Sequence, residues 1–259
     1  RESAEQGVGF WMEIARIITN SSTVHQSISP KGVRMRLPSD ALPFLRELAA
    51  NNKREWFNEH KTRYQQLHSE LLDFTDELIG VLIPYDPLLI GVEPKNCLFR
   101  IYKDARYARD GAPYKTHFGI HVVSSGKRSD FNRAGFYLHI APDSSMIGGG
   151  AHAPSPEWLK QIRLHILHNG AELMRVIEDE TFTQYFGRLH GDRLVRPPQG
   201  FTGERAESPY IEWIKFKALW VQRNLSDAQM RSAKLEQTVL ETYLAYQPLQ
   251  RFLNEARAV

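Results

Sequence analysis

The chain has 259 residues, 42% of them apolar and 24% charged. That is enough to bury a sizeable core in one large or two small domains, and it excludes wholesale disorder. With 33 Lys and Arg against 30 Asp and Glu, the net charge of +3 excludes a chain-wide nucleic-acid coat, so any basic function rests on local clustering.

A single cysteine, Cys97, excludes an internal disulfide and a Cys-based zinc site. It stands before the apolar run "LFRIY" and reads as a small buried hydrophobe. No apolar run reaches the roughly 18 residues of a spanning helix. The N-terminal "RESAEQGVGFWMEIARII" carries Glu13 and Arg16 within its apolar patch and makes a poor secretory signal. A cytoplasmic protein is the expectation.

In chain order, residues 1–34 read as an extension and Met35 as the start of one compact domain, 35–259. Ser39 or Asp40 is placed to cap a helix carrying Leu42, Phe44, Leu45 and Leu48. A long helix is expected from Lys53 to Leu82, with Trp56, Phe57, Tyr64, Leu67 and Leu71 on its apolar side. Short β-branched and aromatic runs follow: "CLFRIY" (97–102), "THFGIHVVS" (116–124), "AGFYLHIAP" (134–142) and "SMIGGG" (145–150). Their spacing predicts an antiparallel meander rather than βαβ units. Ser155 and Pro156 open another helix, and 170–187 looks helical too. Residues 191–201 read as extended, with a short helix near Pro209–Lys215, a strand "ALWVQRNL", and a last helix capped by Ser226. The fold class is α+β: an antiparallel sheet of four to five strands flanked by N-terminal and C-terminal helices.

Four ordered pieces carry a resemblance: "FLRELAANNKREWFNEHKTRYQ", "FRIYKDARYARDGAPYKTHFGI", "GFYLHIAPDSSMIGGGAHAPSPEWLKQIR" and "GDRLVRPPQGF…SPYIEWIKFKAL". Spanning about Pro38 to Leu225, they are similar to a family of bacterial and fungal proteins filed as domain of unknown function 2461. The resemblance leaves residues 1–34 outside and implies no activity.

The stretch Leu98–Gly119 concentrates charge. Arg100, Lys103, Arg106, Arg109 and Lys115 against Asp104 and Asp110 leave a local excess of +3, among Tyr102, Tyr107 and Tyr114. Read as a strand of period two, it points Phe99 and Ile101 to one face, and Arg100, Tyr102, Asp104 and Arg106 to the other. Arginine forks match phosphate and carboxylate, and tyrosine adds a stacking face. Arg100, Arg106 and Lys115 are therefore candidate anion contacts, Tyr102 and Tyr114 candidate walls, and Asp104 an orienting group and the candidate acid or base. The competing reading is a surface salt-bridge network.

Gly148, Gly149 and Gly150 precede a helix start, which would let backbone N–H groups approach an anion. They lack the spacing of a dinucleotide or Walker loop, and a tight backbone crossing or bulge explains them without a ligand. His117 and His121 share a strand face, with His139 on another strand and His165 and His168 on a helix. No familiar zinc spacing accompanies them, and no metal is expected. The sequence indicates no cofactor, and no "GxSxG" is present.

A small anionic ligand, phosphorylated or carboxylated, in an Arg/Lys/Tyr-lined pocket is the leading expectation, with catalysis left open. A nucleic-acid-associated module using the same face with Lys127, Arg128, Arg133, Arg193 and Arg196 is the alternative. A structural or interaction protein without ligand is the third.

Overall fold

A computed structural model of the chain describes residues 35–103 and 111–257. The expected extension, 1–34, and the segment holding Asp104, Arg106, Tyr107, Arg109 and Asp110 lie outside the described residues.

Helix α1 (Ala41–Ala50) buries Leu42, Phe44, Leu45 and Leu48 on one stripe. Its expected side-chain cap does not form. Asp40 instead accepts a bidentate pair of hydrogen bonds from Arg63, at 2.6 and 2.7 Å, so the carboxylate ties α1 to a later helix. The single helix expected over 53–82 is two, α2 (Arg54–Glu59) and α3 (Lys61–Leu82), separated at His60 with φ −101° and ψ 13°. The break turns Phe57 onto Tyr114, the two rings stacked with centroids 4.1 Å apart. Met35 and Phe57 are buried in the same core, against which Trp56 is partly buried.

"CLFRIY" is not a regular strand. Cys97 ends a single helical turn, α4 (Pro94–Cys97), and the chain then pairs through isolated bridges, Leu98 with Ile120 and Tyr102 with Tyr114. Between these bridges the 114–120 side holds two residues more than the 98–102 side, so the ribbon bends and strict alternation fails. Leu98 and Ile101 are both buried, while Phe99 swings away from the helices.

The expected meander is present. Strands β1 (Phe118–Val122), β2 (Gly135–Ile140), β3 (Ser145–Ala151) and β4 (Leu219–Leu225) form one antiparallel sheet in the order β1-β2-β3-β4. The fold is α+β. Both sheet edges are covered: residues 98–103 run along β1, and His190 and Arg193 bridge to Trp220 and Phe216 beside β4. Edge pairing of this kind removes exposed ladder groups.

Alternation sorts each strand. Phe118, Ile120, Val122, Phe136, Leu138, Ile140, Ile147 and Val221 point into the helical layer. That layer comprises α5 (Pro156–Ile177), α6 (Glu180–Phe186), α7 (Ile211–Ile214), α8 (Asp227–Met230) and α9 (Leu235–Glu255). Ser155 caps α5 through the Trp158 N–H, with Pro156 in the first turn. Ser226 makes a full capping box with Gln229, but on the four-residue α8; the long C-terminal helix starts separately at Leu235. Helix α9 lies against β3 and α5. Near its end, Asn254 brackets Ala134 by accepting from its N–H at 2.9 Å and donating to its C=O at 3.0 Å. That pair of bonds fixes where β2 begins.

Candidate functional site on the open face of the sheet

The residues left over by alternation define the other face. Gly119 and His121 of β1, Gly135, Tyr137 and His139 of β2, Met146, Gly148 and Gly150 of β3, and Trp220 of β4 line a cavity of about 360 Å³. Phe99, Lys115 and His117 wall it at the β1 edge; Phe131 and Arg133 enter from the β1–β2 loop, and His152 stands beside Trp220.

Two glycines of this face exist to let large neighbours lie flat. A Cβ on Gly135 would stand 2.6 Å from His121 Nε2 and 2.7 Å from the Val122 carbonyl. One on Gly119 would stand 2.8 Å from the Tyr137 hydroxyl. His121 therefore leans over Gly135 and Tyr137 leans over Gly119, although the two are direct cross-strand partners.

The polar groups have defined protonation. His121 is 7% exposed and its Nδ1 lies 2.9 Å from the Arg128 carbonyl, which can only accept, so Nδ1 carries the proton. Burial lowers the His121 pKa, outweighing the Arg128 carbonyl and Asp130. The neutral ring thus has a bare lone pair on Nε2, with no hydrogen-bond partner among the described residues. Burial also lowers His139 and raises Tyr137, so both are neutral, and the phenol and His139 Nδ1 share a hydrogen bond of 3.1 Å. His117 packs against His139, ring centroids 4.3 Å apart, and is held down to about 4 by burial first and by His139, Lys115 and Lys103 after it.

Lys115 supplies fixed positive charge. Its ammonium donates to the Arg100 carbonyl at 3.1 Å and lies over the Phe99 ring, 5.4 Å from the centroid. Burial, then Arg100 and Arg128, lower its pKa, and no ion pair to a carboxylate is formed among the described residues. Arg133 donates to Ser124 Oγ at 2.9 Å, with Asp130 3.8 Å from its Nε.

The expected site is therefore divided. Lys115, Gly148, Gly149 and Gly150 reach this cavity. Tyr102 and Tyr114 line a separate depression of about 690 Å³ with Asn52, Arg54 and Lys103. Tyr114 is buried there, and the Asn52 side chain bonds both its backbone N–H and its C=O. Arg100 is exposed and lines neither; Asp104 and Arg106 lie outside the described residues.

The glycine run also has a different role. It sits within β3, paired to β2 and β4, and the following helix begins only at Pro156. Its backbone groups serve the sheet ladder rather than a helix-terminal anion nest. Gly149 faces the helices, where an added Cβ would stand 2.3 Å from the Tyr246 ring. Close backbone or ring approach accompanies the motif at Gly148, Gly149 and Gly150.

Sequence reasoning missed Phe99, Phe131, Tyr137, His152 and Trp220 as neighbours. The parity of His117, Gly119 and His121 against the apolar Phe118, Ile120 and Val122 was the available signal for part of the face. The basic residues proposed for nucleic acid are dispersed: Lys127 and Arg128 sit on the β1–β2 loop, while Arg193 stacks over Phe216 and Trp213 beyond β4. Cys97 is buried, with its thiol pushed up to about 11 by burial. Among the described residues, no group of three or more His, Cys, Asp or Glu is arranged to hold a metal ion. Nor is any helix long and apolar enough to cross a membrane.

Fold and cavity together define an α+β protein with a histidine-lined cavity on the uncovered side of its sheet. The chain belongs to the family described as "Conserved hypothetical protein (DUF2461)", which matches residues 40–252. The match runs past the four quoted pieces and takes in most of α9, the helix that fixes the start of β2. No curated protein and no solved structure matches the chain.

Proposed function

We propose that the protein binds a small organic anion, a carboxylate or a phosphate, in the cavity on the open face of the sheet. The observation that carries this reading is the lining. Lys115, Arg133 and four imidazoles (His117, His121, His139 and His152) converge on it, and no carboxylate does so among the described residues. A fixed cation without an anionic partner, set in partly apolar walls, attracts an anion more strongly than the same charge in water. The cavity's size and concavity favour a small molecule over a nucleic-acid strand. Lys115 takes the charge, with Arg133, already paired to Asp130 at 3.8 Å, beside it, and His117, His121 and His139, kept neutral by burial, supply orienting hydrogen bonds. A reducing, cytoplasmic setting accompanies this reading, given the single buried cysteine.

Calorimetric titration with benzoate and phenyl phosphate tests it, on the wild type and on Lys115→Ala. Saturable binding of at least one, weakened about tenfold or more in the variant, is expected for loss of a charge-assisted contact. Absence of binding, or equal affinity in the variant, contradicts the proposal.

A further inference from the structure

Resting on that anion-binding reading, the geometry points to a narrower ligand class: a planar aromatic anion whose ring edge donates a hydrogen bond to His121 Nε2. Three observations combine.

The first is an acceptor that opens on the cavity. His121 is more than nine-tenths buried, its Nδ1–H is committed to the Arg128 carbonyl, and Nε2 faces the cavity with no partner among the described residues. Nε2 is not sealed from solvent, so a ligand N–H or O–H that reaches it takes the place of water at an acceptor held in a fixed direction.

The second is the aromatic walling. Phe131, 44% exposed, stacks on His121 with 10° between the rings. At the far side Trp220 is held by His190, stacked at 4.7 Å, and by His152, edge-on at 5.3 Å. Phe131 and Trp220 both line the cavity, and a flat ring packs against aromatic walls better than a puckered one.

The third is the floor. His121 and Tyr137 cover Gly135 and Gly119, but the nearest atoms to a Cβ on Gly148 belong to no ring: they are the Val221 carbonyl at 2.8 Å and Gln222 at 3.8 Å. The part of the sheet between Tyr137 and β4 is thus left to a flat ligand lying on backbone.

Two comparisons by calorimetry test this in the full chain. Benzoate is set against cyclohexanecarboxylate, and phenyl phosphate against cyclohexyl phosphate, matching charge and size while changing planarity. The three hydroxybenzoates are set against their methoxy counterparts, which lose the donor, and against benzoate, which loses it without added bulk. The planar member of each pair should bind about tenfold tighter, and at least one hydroxybenzoate should exceed its methoxy partner by a similar factor. Phe131→Ala, at an exposed position, should shrink the planar preference. His121→Phe should abolish the hydroxyl preference, with a cooperative melt confirming that it folds.

Equal binding of planar and puckered anions overturns the inference, as does a hydroxyl preference that is absent or survives in His121→Phe. In those outcomes the anion reading still stands if Lys115→Ala weakens every compound. If no anion binds at all, both fall together.

Discussion

His121 and Tyr137 face each other directly across β1 and β2, yet their side chains part, His121 over Gly135 and Tyr137 over Gly119. Each strand gives up a side chain so that the other strand's ring can lie down. The separation presents the imidazole edge and the phenol to the cavity instead of to each other. A side chain at either glycine would undo this, but not equally. At Gly135 the added Cβ meets a backbone carbonyl as well as the ring, and the carbonyl cannot move without disturbing the β1 ladder. Gly135→Ala should therefore cost about 1–3 kcal/mol in urea unfolding. Gly119→Ala should cost less, since the Tyr137 hydroxyl that it meets is the far end of a side chain. The reverse order would contradict the account.

Gly149 tests the opposite face. Tyr246 is fully buried beneath it and donates to the Gly135 carbonyl at 3.1 Å. Gly149→Ala should force Tyr246 off the sheet and lower stability by about 1–3 kcal/mol or more. Restoration by Gly149→Ala combined with Tyr246→Phe would contradict this, because the ring, not the hydroxyl, makes the clash.

The histidines set a pH dependence. His117 is held down to about 4, and His121 and His139 are lowered too, all by burial first. Between an ordinary histidine pKa of about 6.5 and these lowered values, the unfolded chain binds protons that the folded chain refuses. Stability should therefore be full above about pH 6.5 and fall as pH drops toward 4. A bound anion favours the charged imidazoles, so anion affinity should rise over the same interval. Melting curves from pH 7.5 to 4.5 on the wild type and His117→Asn check the first part; a variant with an unchanged slope would contradict it.

Cys97 is expected to be inert. Buried, and with its thiol pushed up to about 11, it should not react with a disulfide reagent at pH 8 in the native protein. It should react within minutes in denaturant. Rapid native labelling would contradict its placement in the core.

Much of the fold was legible because its signals are local. The β-branched and aromatic runs gave β1 to β4 within a few residues, and Ser155–Pro156 and Ser226 each mark a real helix start. The failures trace to partners elsewhere in the chain. Asp40 forgoes its cap because Arg63, 23 residues on, offers two charge-assisted bonds. Phe99 leaves the core because two extra residues between bridges spoil the alternation. The site was legible only in part for the same reason. Lys115 was visible in a cationic stretch, but Trp220 reaches the cavity through the pairing of Gly150 with Trp220, a register that no local pattern encodes. The histidines were noticed for metal chemistry, while their common face with Gly119 was the more informative fact.

The most direct test of the central claim is the imidazole ¹⁵N–¹H spectrum, assigned by single His→Asn variants and titrated with phenyl phosphate and benzoate. The account predicts saturable shifts of His117, His121 and His139 with one common affinity, while His68 and His165, which line no part of the cavity, stay in place. Shifts confined to histidines away from the sheet's open face, or no shifts with either anion, would contradict it.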